Sequence, residues 1–392
     1  MSIREAVIIE AVRTPVGKRG GELKHWHPAD LLAQTLRTLV DRSGLDPELL
    51  DDVIAGCVLQ HGEQAGNIGR NAALGAGLPE SLPATTIDRQ CGSGQQAVHF
   101  AAQGVQSGAY NFAIGCGVES MTRVDTGPLF RPGAPLGEWY GERALARYDG
   151  GLLAQGPSAE LVISKWGISR DELDDYSVQS HLRAAAATER GCFSDHLVPV
   201  ESVSADGTRV VMTRDEGIRP NPDREKMSKL SAVFSPDGSI TAGNSSQLSD
   251  GAGALIVAER SAAEKAGLRP RACIRSMAVA ADSAVLQFTA ILPATRRALA
   301  SAGLTLDEID LFEVNEAFAC VPLMWQREFG IESERLNVNG GSIAIGHPLG
   351  STGARLLTEL LCELERRGGR YGLLTICEGG GMANATVLER LD

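Results

Sequence analysis

The chain repeats itself, and that constrains its fold more than any other feature. "SGLDPELLDDVIAG" at 43–56 resembles "AGLTLDEIDLFEVN" at 302–315: a Gly-Leu step, a short acidic turn, then an apolar run. A helical pattern precedes each, "LLAQTLRTLV" and "AILPATRRAL". Later, "AIGCGVESM" (113–121) resembles "LTICEGGGM" (374–382), with Cys116 and Cys377 each five residues before a methionine. The first pair of segments is offset by 259 residues and the second by 261, so the pattern is that of a duplicated unit.

Each unit alternates strands and helices, which predicts an α/β fold with mixed or parallel sheets covered by helices. "VIIEAV", "DVIAGCVL" and "NFAIGCGV" read as strands of the first unit, and "ACIRSMAVA", "IDLFEVN" and "YGLLTIC" as strands of the second. Each unit also has a helix with a Gly-rich entrance, "CGSGQQAVHFAAQGVQSG" and "GHPLGSTGARLLTELLCELERRGG". The second carries Leu356, Leu357, Leu360, Leu361 and Leu364 on its apolar face. Between the units the character changes. Gly- and Pro-rich sequence gives way to "GISRDELDDYSVQSHLRAAAATERG", a helical stretch with Ser169 as cap and Glu172 three residues on. The expected division is an N-terminal half at 1–117 completed by about 250–270, a loop or lid domain at 118–249, and a C-terminal half at 271–392.

Composition narrows the function. With 392 residues, 43% hydrophobic and 22% charged, the chain has ordinary globular proportions. A net charge of −12 argues against general nucleic-acid binding but not against an anionic small ligand held by a local basic cluster. Eight scattered cysteines form no CxxC pair, and no Cys/His cluster has zinc spacing, so no metal is expected. The opening "MSIREAVIIEAVRTP" starts a strand with no leader or long apolar segment. A reducing cytoplasm, with the cysteines as thiols and no membrane insertion, is the expected setting.

Four positions carry candidate chemistry. Cys91, in "DRQCGSGQQAVHF", lies at a helix entrance where free N–H groups and the macrodipole favour a thiolate, and Gly92 and Gly94 let amides approach an acyl oxygen. Alone, the stretch fits a packed small residue equally well. His347, in "NGGSIAIGHPLGSTG", is the one histidine of seven in a Gly-rich helix entrance, with Pro348 suited to the first helical position. It is placed to take a thiol proton or to donate to an oxyanion, though a lone histidine is more often structural. Cys377 closes an apolar strand ahead of three glycines. In "EVNEAFAC", Asn315 is placed to hold a water or carbonyl, or simply to cap a helix, and Glu316 to orient a neighbour.

"DRQCGSG", "NEAFA", "GGSIAIGHPLGSTG" and "CEGGG" stand in the order found in thiolases, the enzymes that cleave or form 3-oxoacyl-CoA thioesters. The resemblance runs over essentially the whole chain and includes "EAVRTPVGK" and "TAGNSSQLSDGAGAL". It implies a duplicated five-layered α-β-α-β-α architecture with an inserted loop domain. It further implies that Cys91 is acylated, that His347 activates it, and that Cys377 is a second acid/base. One oxyanion site would combine His347 with a water held by Asn315; the other would use the N–H groups of Cys91 and Gly379.

Coenzyme A is then a co-substrate, with no permanently bound cofactor, and the partners are acyl-CoA substrates and further copies of the chain in a homodimer or homotetramer. The basic stretch "EGIRPNPDREKMSKL" (216–230) is the expected cradle for coenzyme A; Arg219 and Ser246 match the family best, and Ser246 would contact the pantetheine. Thiolysis of 3-oxoacyl-CoA to acetyl-CoA and a shortened acyl-CoA is the expected reaction, with lipid degradation favoured over acetoacetyl-CoA formation. Two alternatives are a decarboxylating β-ketoacyl synthase on the same fold and a non-catalytic acyl-CoA-binding subunit.

The sequence departs from the family pattern at Asp88, Ala154, Glu378 and Ala383. A carboxylate at 378 would raise the pKa of Cys377. Acyl-chain preference is left open, with Phe130, Trp139 and Tyr140 as candidate pocket residues.

Overall fold

The computed structural model describes residues 4–124, 126–127, 140–148, 152–203 and 207–391. Phe130 and Trp139 lie outside these residues; Tyr140 is half-buried. In chain order the strands are β1 (Ala6–Arg13), β2 (Gly17–Lys18), β3 (Asp52–Gly56), β4 (Ala84–Ile87), β5 (Phe112–Ser120), β6 (Val200–Val203), β7 (Arg209–Met212), β8 (Ser249–Glu259), β9 (Ala272–Ala281), β10 (Leu311–Val314), β11 (Tyr371–Glu378) and β12 (Met382–Arg390). Strands β6 and β7 form a separate hairpin. The others make one mixed sheet in the order β10-β11-β12-β9-β1-β8-β5-β3-β4, with β2 on β8.

The repeat is visible in the pairing. Strand β3 runs parallel to β5, which is antiparallel to β8, which is antiparallel to β1. In the same pattern β10 is parallel to β11, β11 antiparallel to β12, and β12 antiparallel to β9. Ile54 faces Gly115 and Val314 faces Thr375, both pairs 61 residues apart. Within the sheet the two halves are joined where Val7 and Ile8 of β1 pair with Cys273 and Ala272 of β9. The sheet is therefore formally continuous, yet it bends round a shared helical centre.

Alternating side chains build the layers. Val53 and Ala55 face outward, into a core shared with Leu32, Leu36 and Ala72 of the helices Pro28–Ser43 and Ile68–Gly75. Ile54, between them, faces inward and joins Val98 and Ala101 of the helix Ser93–Ser107 and Leu357 and Leu361 of the helix Leu349–Arg367. On β11, Leu374 faces that same centre, whereas Leu373 faces Ala294 and Val321 of the helices Ile291–Ala302 and Cys320–Phe329. The sequence of layers is thus helix, sheet, helix, sheet, helix.

The chain leaves the sheet at Ser120 and returns at Ser249. Between these points lie the β6–β7 hairpin and the helices Gln155–Trp166 and Arg170–Glu189. The second of these begins with the predicted capping box: Ser169 accepts from the Glu172 N–H, and Glu172 accepts from the Ser169 N–H.

Candidate active site

The two central helices touch backbone to backbone at their N-terminal ends, and glycine makes that possible. A Cβ on Gly94 would lie 2.7 Å from the Gly350 carbonyl oxygen and 2.9 Å from the Ala354 nitrogen. A Cβ on Gly353 would collide with the Gln95 backbone. Gly94 is therefore required by helix packing, not by the approach of an acyl oxygen. Gly92 has a different reason: the Glu378 carboxylate occupies the space a Cβ would need. The entrance that carries Cys91 and the entrance that carries His347 are consequently pressed together.

Cys91 precedes the N-cap, Gly92, by one residue. The turn before it is firmly built. Asp88 accepts from the Gln90 N–H at 2.6 Å, the Arg89 N–H donates to Ser93 Oγ at 2.8 Å, and Ser93 Oγ donates to the Gln90 carbonyl at 2.6 Å. These bonds hold Gln90 at φ 49°, a left-handed conformation that side chains other than glycine adopt at a cost. The resting thiol is not the low-pKa group expected from a helix entrance. Burial, reinforced by Glu378, pushes it up to about 12, against the opposing influence of the Gln155 amide and the Cys91 N–H. Desolvation outweighs the helix end here, so Cys91 needs a base.

His347 is set in a hydrogen-bonded chain. Pro348 is the N-cap of its helix, one residue earlier than expected, and Thr352 Oγ1 donates to its carbonyl at 2.9 Å. With its own hydrogen committed, the Thr352 oxygen accepts from His347 Nδ1 at 2.7 Å. His347 Nε2 is then the unprotonated nitrogen, and Asn315 Nδ2 faces it at 3.4 Å. Asn315 is oriented by Ser342, whose hydroxyl donates to its Oδ1 at 2.6 Å, and Arg355 donates to Ser342 Oγ at 3.0 Å. Burial, aided by the Arg355 charge, lowers the His347 pKa to about 3, so the ring is neutral at physiological pH. Asn315 caps no helix; the next one begins at Cys320. Glu316 instead ties Tyr176, Ser180 and the Ile343 N–H together at 2.9, 2.8 and 3.0 Å, holding the segment that leads to His347.

Cys377 lies at the end of β11, fully buried, and burial pushes its thiol pKa well up; ionised Cys91 pushes it further, which places the two sulfurs in one electrostatic neighbourhood. Glu378 also contributes to that rise, as the sequence predicts. Glycines 379–381 join Glu378 to its hairpin partner Met382, with φ 80° at both Gly380 and Gly381. Gly379 stands beside Gln90, whose Oε1 would be 2.9 Å from a Cβ there. Cys91, His347, Cys377, Asn315 and Gly379 are thus carried on converging elements.

The coenzyme A candidates are farther out. Arg219 is exposed, with its N–H donating to His181 Nδ1 at 3.2 Å. Ser246 is half-buried, and its N–H donates to the Ala317 carbonyl at 3.0 Å, beside the Asn315 segment. Arg224 is engaged by Asp171, Asp174 and Asp175, Lys226 by Asp223 and Lys229 by Glu225, so these three are internal struts of the cluster.

Three supporting residues escape motif reading. Glu119, at the end of β5, accepts from the N–H groups of Val58, Leu59 and Gly350 at 3.0, 3.1 and 2.8 Å and so anchors the His347 helix. Gln287 bridges the Leu153 carbonyl (2.6 Å) and the Gly380 N–H (3.2 Å). Gln155 faces Cys91. Only Glu119, a lone carboxylate ending an apolar strand, leaves a trace in the sequence.

Fold and site bring two thiols, an imidazole and an amide onto converging elements, an arrangement suited to acyl transfer. Comparison with known proteins makes this specific. The family "Thiolase, N-terminal domain" matches residues 6–261 and "Thiolase, C-terminal domain" residues 268–390. Steroid 3-ketoacyl-CoA thiolase FadA6 of Mycobacterium tuberculosis is 47% identical, covering 99% of this chain and 94% of the relative. The 3-ketoacyl-CoA thiolase of Bacillus subtilis is 42% identical over 99% of this chain and 100% of its own. Human mitochondrial 3-ketoacyl-CoA thiolase superposes with a TM-score of 0.91 at 35% identity, covering 100% of both chains. The chain belongs to the thiolase family, whose members are acyltransferases that use coenzyme A thioesters.

Proposed function

We propose that the protein cleaves 3-oxoacyl-CoA by thiolysis, releasing acetyl-CoA and an acyl-CoA two carbons shorter. His347 Nε2 takes the Cys91 proton, and the thiolate adds to the C3 carbonyl. The N–H groups of Cys91 and Gly379 stabilise the resulting oxyanion. The C2–C3 bond then breaks, leaving the acyl group on Cys91 and the electron pair on C2. Cys377 protonates C2, while protonated His347, with Asn315, stabilises the enolate oxygen. In the second half-reaction the thiol of coenzyme A gives its proton to the Cys377 thiolate and attacks the acyl-Cys91 carbonyl. Cys91 leaves and regains its proton from His347, so the cycle balances.

The observation that carries this reading is the chain Pro348–Thr352–His347–Asn315–Ser342, which fixes a neutral imidazole with a free Nε2 on a helix entrance packed against the one that carries Cys91, whose buried thiol is pushed up to about 12. Arg219 and Ser246, near the rim of the site, are assigned to coenzyme A, and the segment 118–249 to a lid over the two halves. Among the described residues β10 and β4 are the two edges of the sheet, and an edge open to a second copy of the chain supports a homo-oligomer. Among the described residues no helix is long and apolar enough to cross a membrane, and the eight cysteines are free thiols, which supports a cytoplasmic setting.

The test is direct. Incubation with acetoacetyl-CoA or acetyl-CoA, followed by peptide mass analysis, should show an acetyl adduct on Cys91. Turnover with Cys91 unmodified would contradict the assignment.

A further inference from the structure

Behind Asn315, a row of buried charges runs to the loop segment that carries Arg219. Arg355, which donates to Ser342 Oγ at 3.0 Å, also donates to Glu359 at 2.8 Å, one turn along the same helix. The other Glu359 oxygen pairs with Arg13 Nε at 2.9 Å, at the end of β1. Arg13 grips Asp215 with both terminal nitrogens, at 2.7 and 2.9 Å, and Asp215 also accepts from the Val16 N–H at 2.8 Å. All four charged side chains are buried. They come from three parts of the chain: Arg13 from the first half, Asp215 from the segment between the halves, and Arg355 and Glu359 from the second half. The Asp215 segment also touches the approach to His347. Gln247 donates to the carbonyls of Gly217, Ile343 and Ala344 at 3.1, 2.8 and 3.0 Å, and a Cβ on Gly217 would lie 3.0 Å from the Ala344 oxygen.

Pairing does little more than offset the desolvation of four buried charges, so stability alone does not account for the row. The direction of its hydrogen bonds does. A guanidinium donates and never accepts, so Arg355 occupies a lone pair of Ser342 Oγ and turns the serine hydrogen towards Asn315 Oδ1, 2.6 Å away. Asn315 then has only its Nδ2 to present to His347 Nε2, at 3.4 Å. Were the amide reversed, its oxygen would face the unprotonated nitrogen and no donor would remain for a substrate oxygen. Resting on the thiolase reading above, we infer that Arg355, Glu359, Arg13 and Asp215 are positioning residues, and that through them the seating of the Arg219 segment sets the Asn315 amide. Glu359 holds Arg355 against Ser342, Arg13 holds Glu359, and Asp215 holds Arg13 from the segment assigned to coenzyme A.

The experiment separates the two half-reactions, because Asn315 serves the enolate oxygen, which forms only in carbon–carbon cleavage. Rapid-quench mass analysis follows acetyl transfer from acetyl-CoA to Cys91 and, separately, a single turnover of acetoacetyl-CoA. In Ser342→Ala the cleavage rate should fall at least about tenfold further than the transfer rate, the scale of a lost supporting partner. Asp215→Asn, which keeps the shape and removes the charge, should show the same selective loss. Arg13→Lys, with one nitrogen for two carboxylates, takes its place if that variant does not fold. In the double variant the selective loss should be no larger than in Ser342→Ala alone, because both changes act through one chain. Equal slowing of the two half-reactions in Ser342→Ala would overturn the inference, since the row would then be structural only. So would losses that multiply in the double variant, or an unchanged ratio of the two rates in the Asp215 or Arg13 variant. In each of these cases the unaltered protein still cleaves acetoacetyl-CoA and the thiolase reading stands; if it cleaves no 3-oxoacyl-CoA, that reading fails and takes the inference with it.

Discussion

Thr352 Oγ1 lies 2.7 Å from His347 Nδ1 and gives its own hydrogen to the Pro348 carbonyl, so a single hydroxyl dictates which imidazole nitrogen is free. Replacing it with valine keeps the shape and removes the acceptor. Thr352→Val should therefore populate the wrong tautomer and slow Cys91 acylation by roughly tenfold to a hundredfold. Single-turnover mass analysis with acetyl-CoA measures that rate. An unchanged rate would show that the tautomer is set elsewhere.

Glu378 reinforces burial in raising the resting Cys91 thiol. Burial holds the Glu378 carboxyl well above the usual carboxylate range, and its negative charge adds to the burial that pushes Cys91 up to about 12. Glu378→Gln should lower the apparent pKa of Cys91 and speed its alkylation by iodoacetamide in mildly alkaline solution. The pH dependence of alkylation, followed at Cys91 by peptide mass analysis, is the readout. A rise in that pKa would show that the carboxyl helps the thiolate.

Four buried histidines, His99, His181, His196 and His347, make the fold sensitive to acid, each with its pKa lowered by burial. Burial lowers His347 and His99 to about 3 and His181 to about 4, all below the 6.5 of an exposed ring. The unfolded chain therefore binds more protons between these values and 6.5, and stability falls as pH drops through that window. Each group contributes at most about 1.4 kcal/mol per pH unit there. The buried carboxyls of Glu119, Glu313 and Glu378, raised by burial, act in the opposite sense, so the histidine effect is read as a difference: between pH 6.5 and 4 His99→Gln, which keeps a polar partner for Thr386, should lose less Tm than the unaltered protein. Parallel Tm profiles for the two proteins would contradict the lowered pKa of His99.

The helix contact behind the site can be tested by adding one carbon. A Cβ on Gly94 would sit 2.7 Å from the Gly350 oxygen, whereas one on Gly141 would meet nothing within 4 Å. Gly94→Ala should cost about 1–3 kcal/mol and impair acylation, because the two entrances must part. Gly141→Ala should change stability by no more than ~0.5 kcal/mol. Thermal unfolding of the two variants makes the comparison, and equal Tm values would refute the close contact.

Much of this architecture could be read from the residues, and what could not has a physical cause. The six strands expected from apolar runs are all present, and the spacing between repeats reappears as the shared register of β3–β5 and β10–β11. Strand β8 is invisible to such a reading. "SDGAGALIVAE" begins with small residues because the second central helix packs on it: a Cβ on Gly253 would lie 3.2 Å from the Arg355 nitrogen. Strand β12, "MANATVLER", places Asn384 and Thr386 inward among buried polar groups and so lacks apolar alternation.

In the site, Cys91, His347, Cys377 and Asn315 announce themselves through glycine-rich surroundings and their order along the chain. The ionisation of Cys91 does not, because the helix end is local whereas the burial that overrides it is built from both halves. Gln155 and Gln287 are equally silent: their importance comes from distant segments of the chain, Cys91 for the first and Leu153, 134 residues away, for the second.

Separate roles for the two thiols are the centre of the account, and the Cys377→Ala variant addresses them most directly. Rapid-quench mass analysis should follow acetyl transfer from acetyl-CoA to Cys91 alongside cleavage of acetoacetyl-CoA. Transfer should persist in the variant while carbon–carbon cleavage falls by at least about a hundredfold, the scale of a lost general acid. Equal loss of both would show that Cys377 serves the acylation of Cys91 itself, and the division of labour between the two halves would be wrong.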